Sequence, residues 1–119
     1  MAEQRAAEPI IRDVREEGRL EAYVDDVFAG VIVHFALDEE PHALVAVHTV
    51  VDPDHQGRGI AGALVREFHA IAARAGVPVV PLCPYAAKWA ERHPEEAPPP
   101  SAEVVRAAER QLAATPGLW

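Results

Sequence analysis

The sequence predicts an α+β domain: an antiparallel four-strand meander, a helix, a fifth strand parallel to the fourth, a short helix and a C-terminal helix. Three observations carry this. Short β-branched runs separated by tight-turn residues fill the chain up to Val51. A glycine-punctuated loop, 57–62, then opens a stretch whose apolar residues recur at helical spacing up to Gly76. A proline-rich break at 94–100 sets the last amphipathic segment apart.

Taken in order, Met1 to Pro9 reads as a frayed arm. Ile10 to Arg15 reads as the first strand, and Glu16-Glu17-Gly18-Arg19 as a turn in which Gly18 supplies positive φ. Leu20 to Val24 alternates as a half-buried strand does. Asp25-Asp26 turns the chain into a long β-rich run, Val27 to Leu37, where Gly30 marks a bulge or a close backbone approach. After the turn Asp38-Glu39-Glu40-Pro41, Ala43 to Val51 forms the fourth strand.

The helix over 59–75 places Ile60, Leu64, Phe68, Ile71, Ala72 and Ala75 on one stripe, with Arg66, Glu67, His69 and Arg74 outward and Gly76 as its stop. Val77 to Leu82 returns as a strand parallel to the fourth through a right-handed crossover; its prolines mark an edge or a splayed strand. Tyr85 to Arg92 is a short helix with Trp89 in the core. The domain plan is therefore a body over 1–93, a linker over 94–100 and a helical extension over 101–119. Ser101 caps that last helix, which is expected to dock on the body.

With 119 residues, 50% of them hydrophobic and 25% charged, there is material for one core in one domain. A lone cysteine permits no internal disulfide, as in a reducing cytoplasm. No apolar run approaches membrane-spanning length, and the start of the chain has no secretory apolar region. A net charge of −8 argues against nucleic acid or anionic membrane as the main partner and leaves room for a cationic acceptor such as an amine.

The loop from Asp52 to Ala61 organises the functional reading. Two glycines before a helix let backbone N–H groups converge on an anion at the positive end of the helix dipole, with Arg58 adding a charge. Gly57-Arg58-Gly59-Ile60-Ala61-Gly62 matches the spacing of a dinucleotide loop, but five residues, 52–56, separate it from the strand. The acidic residue such a fold places about 20 residues on is missing, since Leu82-Cys83 stands there. There is no Gly-Lys-Ser/Thr, which excludes a Walker loop.

What remains is Gln56-x-x-Gly59-x-Ala61, flanked by His48-Thr49 before it and Leu82-Cys83-Pro84-Tyr85 after the next strand. This combination resembles the GNAT superfamily of N-acetyltransferases, in its short single-domain branch, from about Glu17 to His93. The resemblance implies a minimal GNAT fold and acetyl-CoA as co-substrate, with the pyrophosphate held by Gln56, Gly57, Arg58, Gly59, Ile60 and Ala61. It also implies that the backbone of Val50 and Val51 pairs with the pantetheine amides at a strand bulge. Lys88 offers its charge either to a CoA phosphate or to solvent.

Three residues are candidates for chemistry. The fourth strand carries no carboxylate, and Val47 stands where the short branch often has a glutamate, so His48 is its one titratable group and a candidate general base or a structural histidine. Cys83, at the end of the parallel strand, is the position for which the resemblance raises a covalent acetyl-cysteine; a small core residue is the other reading. Tyr85 is a candidate to protonate the leaving thiolate, or a packing residue. His48, Asp52, Asp54 and His55 match no metal-ligand spacing, and no metal is expected. Ser101, the single serine, lies in the tail and excludes serine hydrolysis.

Only four residues, 16–19, join the first two strands, where typical members of the superfamily insert helices that wall off the acceptor. The expected function is acetyl-CoA-dependent N-acetylation of an amine, on a protein or peptide among the options. The alternative is a CoA-binding or protein-interaction module with little turnover.

Overall fold

The computed structural model describes residues 8–115; the start of the expected frayed arm and the last four residues lie outside the described residues. Five strands form one sheet in the order β1-β2-β3-β4-β5. They are β1 (Ile10–Val14), β2 (Arg19–Val24), β3 (Val27–Ala36), β4 (Leu44–Val51) and β5 (Val79–Pro81). The first four run antiparallel and β5 is parallel to β4, as expected from the sequence. Between β4 and β5 lies α1 (Ile60–Ala75); α2 (Pro84–Arg92) and α3 (Ala102–Ala113) follow.

Local residue chemistry explains the turns. Gly18 closes the short turn after β1 at φ 68°, and a Cβ there would lie 2.6 Å from the carbonyl oxygen of His34. Asp25 and Asp26 both take positive φ, 51° and 67°, as a two-residue hairpin turn with the right twist requires. Gly30 is a close approach: a Cβ would stand 3.0 Å from the Val50 carbonyl oxygen and 3.3 Å from Leu64. The irregularity in the β2–β3 ladder lies beside it, between Ala22 and Tyr23.

Register fixes the two faces of the sheet, since partners across a ladder share a face. The row Leu20, Ile32, Thr49 faces α1, as does the row Ala22, Gly30, Val51. The rows Arg19, Val33, His48 and Glu21, Val31, Val50 face the other way. On the α1 side, Leu20, Ile32, Leu64 and Phe68 form the centre of the core, each at most 2% exposed. A second core forms where α3 lies on the opposite face, with Val104 and Ala108 against Val45, Val47 and Val80. Ser101 Oγ accepts from the Val104 N–H at 3.2 Å, and Gln111 Nε2 donates to the Ala36 carbonyl at 3.1 Å. The helical extension is thus docked, and Ala97 of the proline-rich stretch is itself buried.

Two expectations for α1 need correction. His69, expected to face outward, is buried with its ring stacked on Trp89 at 5.4 Å, because α2 covers that side of the helix. Ala75, expected in the core stripe, is exposed, because it borders an open hollow beside the turn after β1. No helix among the described residues is long and apolar enough to cross a membrane.

Burial holds both His34 and His69 below the usual histidine value of 6.5, against the opposing pull of Asp13 on the first and Glu96 on the second. Arg15 adds to the lowering at His34. Because the folded values are depressed, the unfolded chain binds more protons as pH falls below 6.5, and stability rises with pH through that window. Each histidine then contributes a slope that approaches about 1.4 kcal/mol per pH unit where the unfolded ring is fully protonated and the folded ring is still neutral. Urea unfolding between pH 7.5 and 5 is expected to show a falling midpoint, with a shallower fall in His69→Phe. A midpoint that is flat over this range would refute the assignment.

Candidate functional site

The site begins where β5 leaves β4. Their ladder has three pairs, Leu44 with Val79, Val45 with Val80 and Ala46 with Pro81. The Ala46 carbonyl then accepts from both Leu82 N at 2.9 Å and Cys83 N at 3.2 Å, and the chain turns into α2 with Pro84 in its first turn. β4 continues to Val51 along an edge that β5 no longer covers. On its other side the β3–β4 ladder slips between Val33 and His34, so the bulge expected at Val50 and Val51 has Val47 as its extra residue instead, and Val50 and Val51 pair regularly with Val31 and Gly30.

At the end of β4 the Asp52 N–H bonds to the Ala29 carbonyl at 2.8 Å. Asp52 Oδ1 in turn accepts from Asp54 N at 2.9 Å, capping the single turn Pro53–His55. Gln56 Nε2 reaches back to the Val51 carbonyl at 3.4 Å. Gly57 and Gly59 take φ of 81° and 80°, and nothing stands within 4 Å of where a Cβ would project from either. Glycine is therefore required there by the backbone and not by crowding. Gly59 is the N-cap of α1 and brings no side chain to cap it. The first-turn N–H groups are left at the mouth of the loop. Ile60, 2% exposed, anchors that turn in the core.

Between this loop, the open edge of β4 and the start of α2 lies a cleft of about 410 Å³. Of the residues expected to bind the pyrophosphate, Gln56, Gly57, Gly59, Ile60 and Ala61 line it, together with Val51. Arg58 is exposed at the loop apex and is not part of the wall. Val50 points to the other face of the sheet and is 55% exposed. Lys88 belongs to a neighbouring hollow beyond Tyr85, shared with Trp89, Arg92 and His93.

The three candidates for chemistry are not brought together at one point. His48 is exposed on the face opposite α1. Cys83 is 4% exposed on the α1 side, where its sulfur accepts from the Ala86 N–H at 3.3 Å as the N-cap of α2 and lies 3.1 Å from Thr49 Oγ1. Tyr85 is partly exposed in the cleft wall, and its hydroxyl lies over the first turn of α1, 3.5 Å from where a Cβ on Gly62 would stand.

Three lining residues escape a reading of the sequence alone. Thr49 faces the cleft by strand alternation alone. Gly62 makes room for Tyr85 and for Trp89 Nε1, 3.7 Å from the same Cβ position, and its one signal is a glycine inside a helical pattern. His55 lines the floor with Nδ1 3.9 Å from Asp52 Oδ1 and no hydrogen-bond partner for that nitrogen among the described residues. Among the described residues no three His, Cys, Asp or Glu side chains converge as a metal site would require.

Residues 19–98 match the family model for GCN5-related N-acetyl-transferase. Among solved structures the chain is similar to a ribosomal-protein-alanine N-acetyltransferase from Brucella melitensis biovar Abortus 2308, with 24% identity and a TM-score of 0.54; the match covers 70% of this chain and 62% of that one. It is also similar to an aminoglycoside acetyltransferase from an uncultured soil metagenomic sample, with 25% identity and a TM-score of 0.47 over 52% of this chain and 43% of that one. The chain therefore spans less than two thirds of the length of either neighbour. No curated protein matches it.

The contacts of Cys83 predict a structural cost of their own. Cys83→Ala removes the cap acceptor and the Thr49 contact and is expected to lower stability by about 1–2 kcal/mol. Cys83→Ser, whose oxygen can accept the same N–H, is expected to recover part of this in urea unfolding. Equal midpoints for all three proteins would remove the capping role.

Proposed function

The chain belongs to the GCN5-related N-acetyltransferase family, and we propose that it moves the acetyl group of acetyl-CoA onto an amine. The observation that carries this reading is the cleft that joins an uncapped helix N-terminus to an uncovered strand edge. The anionic pyrophosphate meets the N–H groups of 59–62, with the Arg58 charge beside it. Gly57 and Gly59 allow the close approach, because neither carries a Cβ. The pantetheine arm then runs along β4, its amides pairing as a further strand would with the backbone of Val51 and Thr49, which face the open edge, whereas the N–H and C=O expected to serve at Val50 face β3.

In this reading the acceptor amine arrives from the face that carries His48. Glu21 lies on the same face two strands away, roughly 10 Å across at the usual strand spacing. Its hydrogen bond from Arg19 holds it below the usual carboxylate value, so it stays ionised as the ion-pair partner of Arg19 and does not serve as the base. His48 takes the proton as the amine nitrogen attacks the thioester carbonyl. The tetrahedral intermediate collapses with cleavage of the C–S bond, and the CoA thiolate takes a proton from Tyr85 or water. We place Cys83 outside the reaction path, because its sulfur is already occupied as a helix cap.

Calorimetric titration with acetyl-CoA is expected to show one site in the wild type and none in Gly59→Glu, which sets a carboxylate where the pyrophosphate binds. His48→Ala is expected to bind acetyl-CoA normally while acceptor-dependent thiol release falls by about 10²-fold or more, in line with loss of a general base. Binding without turnover for any amine or peptide acceptor would identify a CoA-binding module instead. No binding by the wild type would sink the acetyltransferase reading.

A further inference from the structure

The acetyl-CoA cleft has few cations for a site that would take two phosphates. From β4 it receives Thr49 and Val51, and from the loop mainly glycine and backbone. Arg58 stands at the loop apex, outside the wall. The turn beside the loop carries two carboxylates, Asp52 and Asp54, which oppose an incoming anion. Among the described residues that line the cleft, only His55 has a side chain that becomes a cation near neutral pH.

The single turn Pro53–His55 holds that side chain in place. The His55 N–H donates to the Asp52 carbonyl at 2.8 Å, and Asp52 Oδ1 accepts from the Asp54 N–H at 2.9 Å. The His55 side chain is 14% exposed. Nδ1 is its enclosed nitrogen, with no hydrogen-bond partner among the described residues and Asp52 Oδ1 at 3.9 Å. Nε2 is not enclosed in this way and is the nitrogen left to the cleft. An imidazolium carries an N–H on both nitrogens. Protonation therefore gives one edge of the ring to Asp52 and makes the other a charge-assisted donor to a phosphate oxygen. A neutral ring has a proton for one of these partners only.

We propose that His55 binds the pyrophosphate of acetyl-CoA in its protonated form, so that the cleft takes up a proton together with its ligand. This rests on the acetyl-transfer reading and adds to it a cationic binding residue and a pH dependence. A ligand that prefers the protonated ring raises the protonated share, and by the same linkage its affinity rises as pH falls through the imidazole range. The other ionisable groups around the cleft are Asp52 and Asp54 on the turn, Arg58 on the loop and the Tyr85 hydroxyl from α2. Side chains of those types ordinarily titrate outside pH 6–8. β4 and α1 bring no titratable side chain to the wall, and His48 lies on the opposite face of the sheet.

The test is calorimetric titration of the full chain with dephospho-CoA at pH 6, 7 and 8, in buffers of different ionisation enthalpy. This probe keeps the pyrophosphate and lacks the 3′-phosphate, a monoester that itself titrates near pH 6. Binding is expected to tighten about fivefold from pH 8 to pH 6, as one charge-assisted contact is gained, with uptake of a fraction of a proton at pH 7. His55→Gln, which keeps a neutral donor, is expected to match the wild type at pH 8 and to lose both the gain and the proton uptake. Acetyl-CoA is expected to show the same difference between the two proteins, since its 3′-phosphate titrates alike with both.

Binding that is equally tight at pH 6 and pH 8, without proton uptake, would overturn this proposal and leave the acetyl-transfer reading standing. Proton uptake that persists in His55→Gln would do the same. Absence of binding by dephospho-CoA and acetyl-CoA alike would remove both readings. The pH comparison in the wild type needs no variant to fold.

Discussion

By accepting two N–H groups, from Leu82 and Cys83, the carbonyl of Ala46 ends the parallel ladder and releases β5 into α2, and the site depends on that break. Had the ladder continued, β4 would be an internal strand along its whole length and its edge would offer nothing to a ligand. Pro84 favours this break, because it suits the first turn of a helix over further strand, whereas the N–H that Pro81 lacks would have faced away from β4. The Val47 bulge on the other side of the same strand adds twist at the same level.

Once β4 is open, its alternation divides the chemistry between two faces. Thr49 and Val51 turn toward α1 and the glycine loop, and His48 and Val50 turn away. A thioester lying in the gap between β4 and the start of α2 would be reachable from both sides. A donor molecule can therefore lie on one face while an acceptor approaches on the other. His48 and Cys83 thus stand on opposite sides of β4.

Much of the fold is legible in the sequence because its punctuation is chemical. Gly18, Asp25-Asp26, Gly76 and Ser101 each occupy a conformation or cap that few other residues tolerate, and each marks a boundary. The loop is legible for the same reason, since Gly57 and Gly59 both take positive φ. Tertiary contacts are not legible. Helical spacing assigns His69 to solvent, and only the arrival of Trp89 from α2 buries it. Nothing in an alternating strand distinguishes His34, whose burial depends on Phe68 from a helix 34 residues later. The bulge at Val47 is equally silent, because a one-residue slip leaves no mark in a run of β-branched residues.

The same helix that orders the cleft also borders the hollow beside the turn after β1, and its two ends do so by different means. At the N-terminus, Gly59 and Gly62 withdraw side chains, so that backbone donors and the Tyr85 hydroxyl reach the surface. Toward the C-terminus, Phe68, Ile71 and Ala75 of α1 line a hollow shared with Leu44 and with the turn over 15–17. The brevity of the β1–β2 connection thus has two consequences. It leaves the sheet face around His48 without a covering element, and it leaves a hollow lined by Phe68, Ile71 and Leu44 on one side and by Asp13, Arg15, Glu16 and Glu17 on the other. A longer insertion there would bury both.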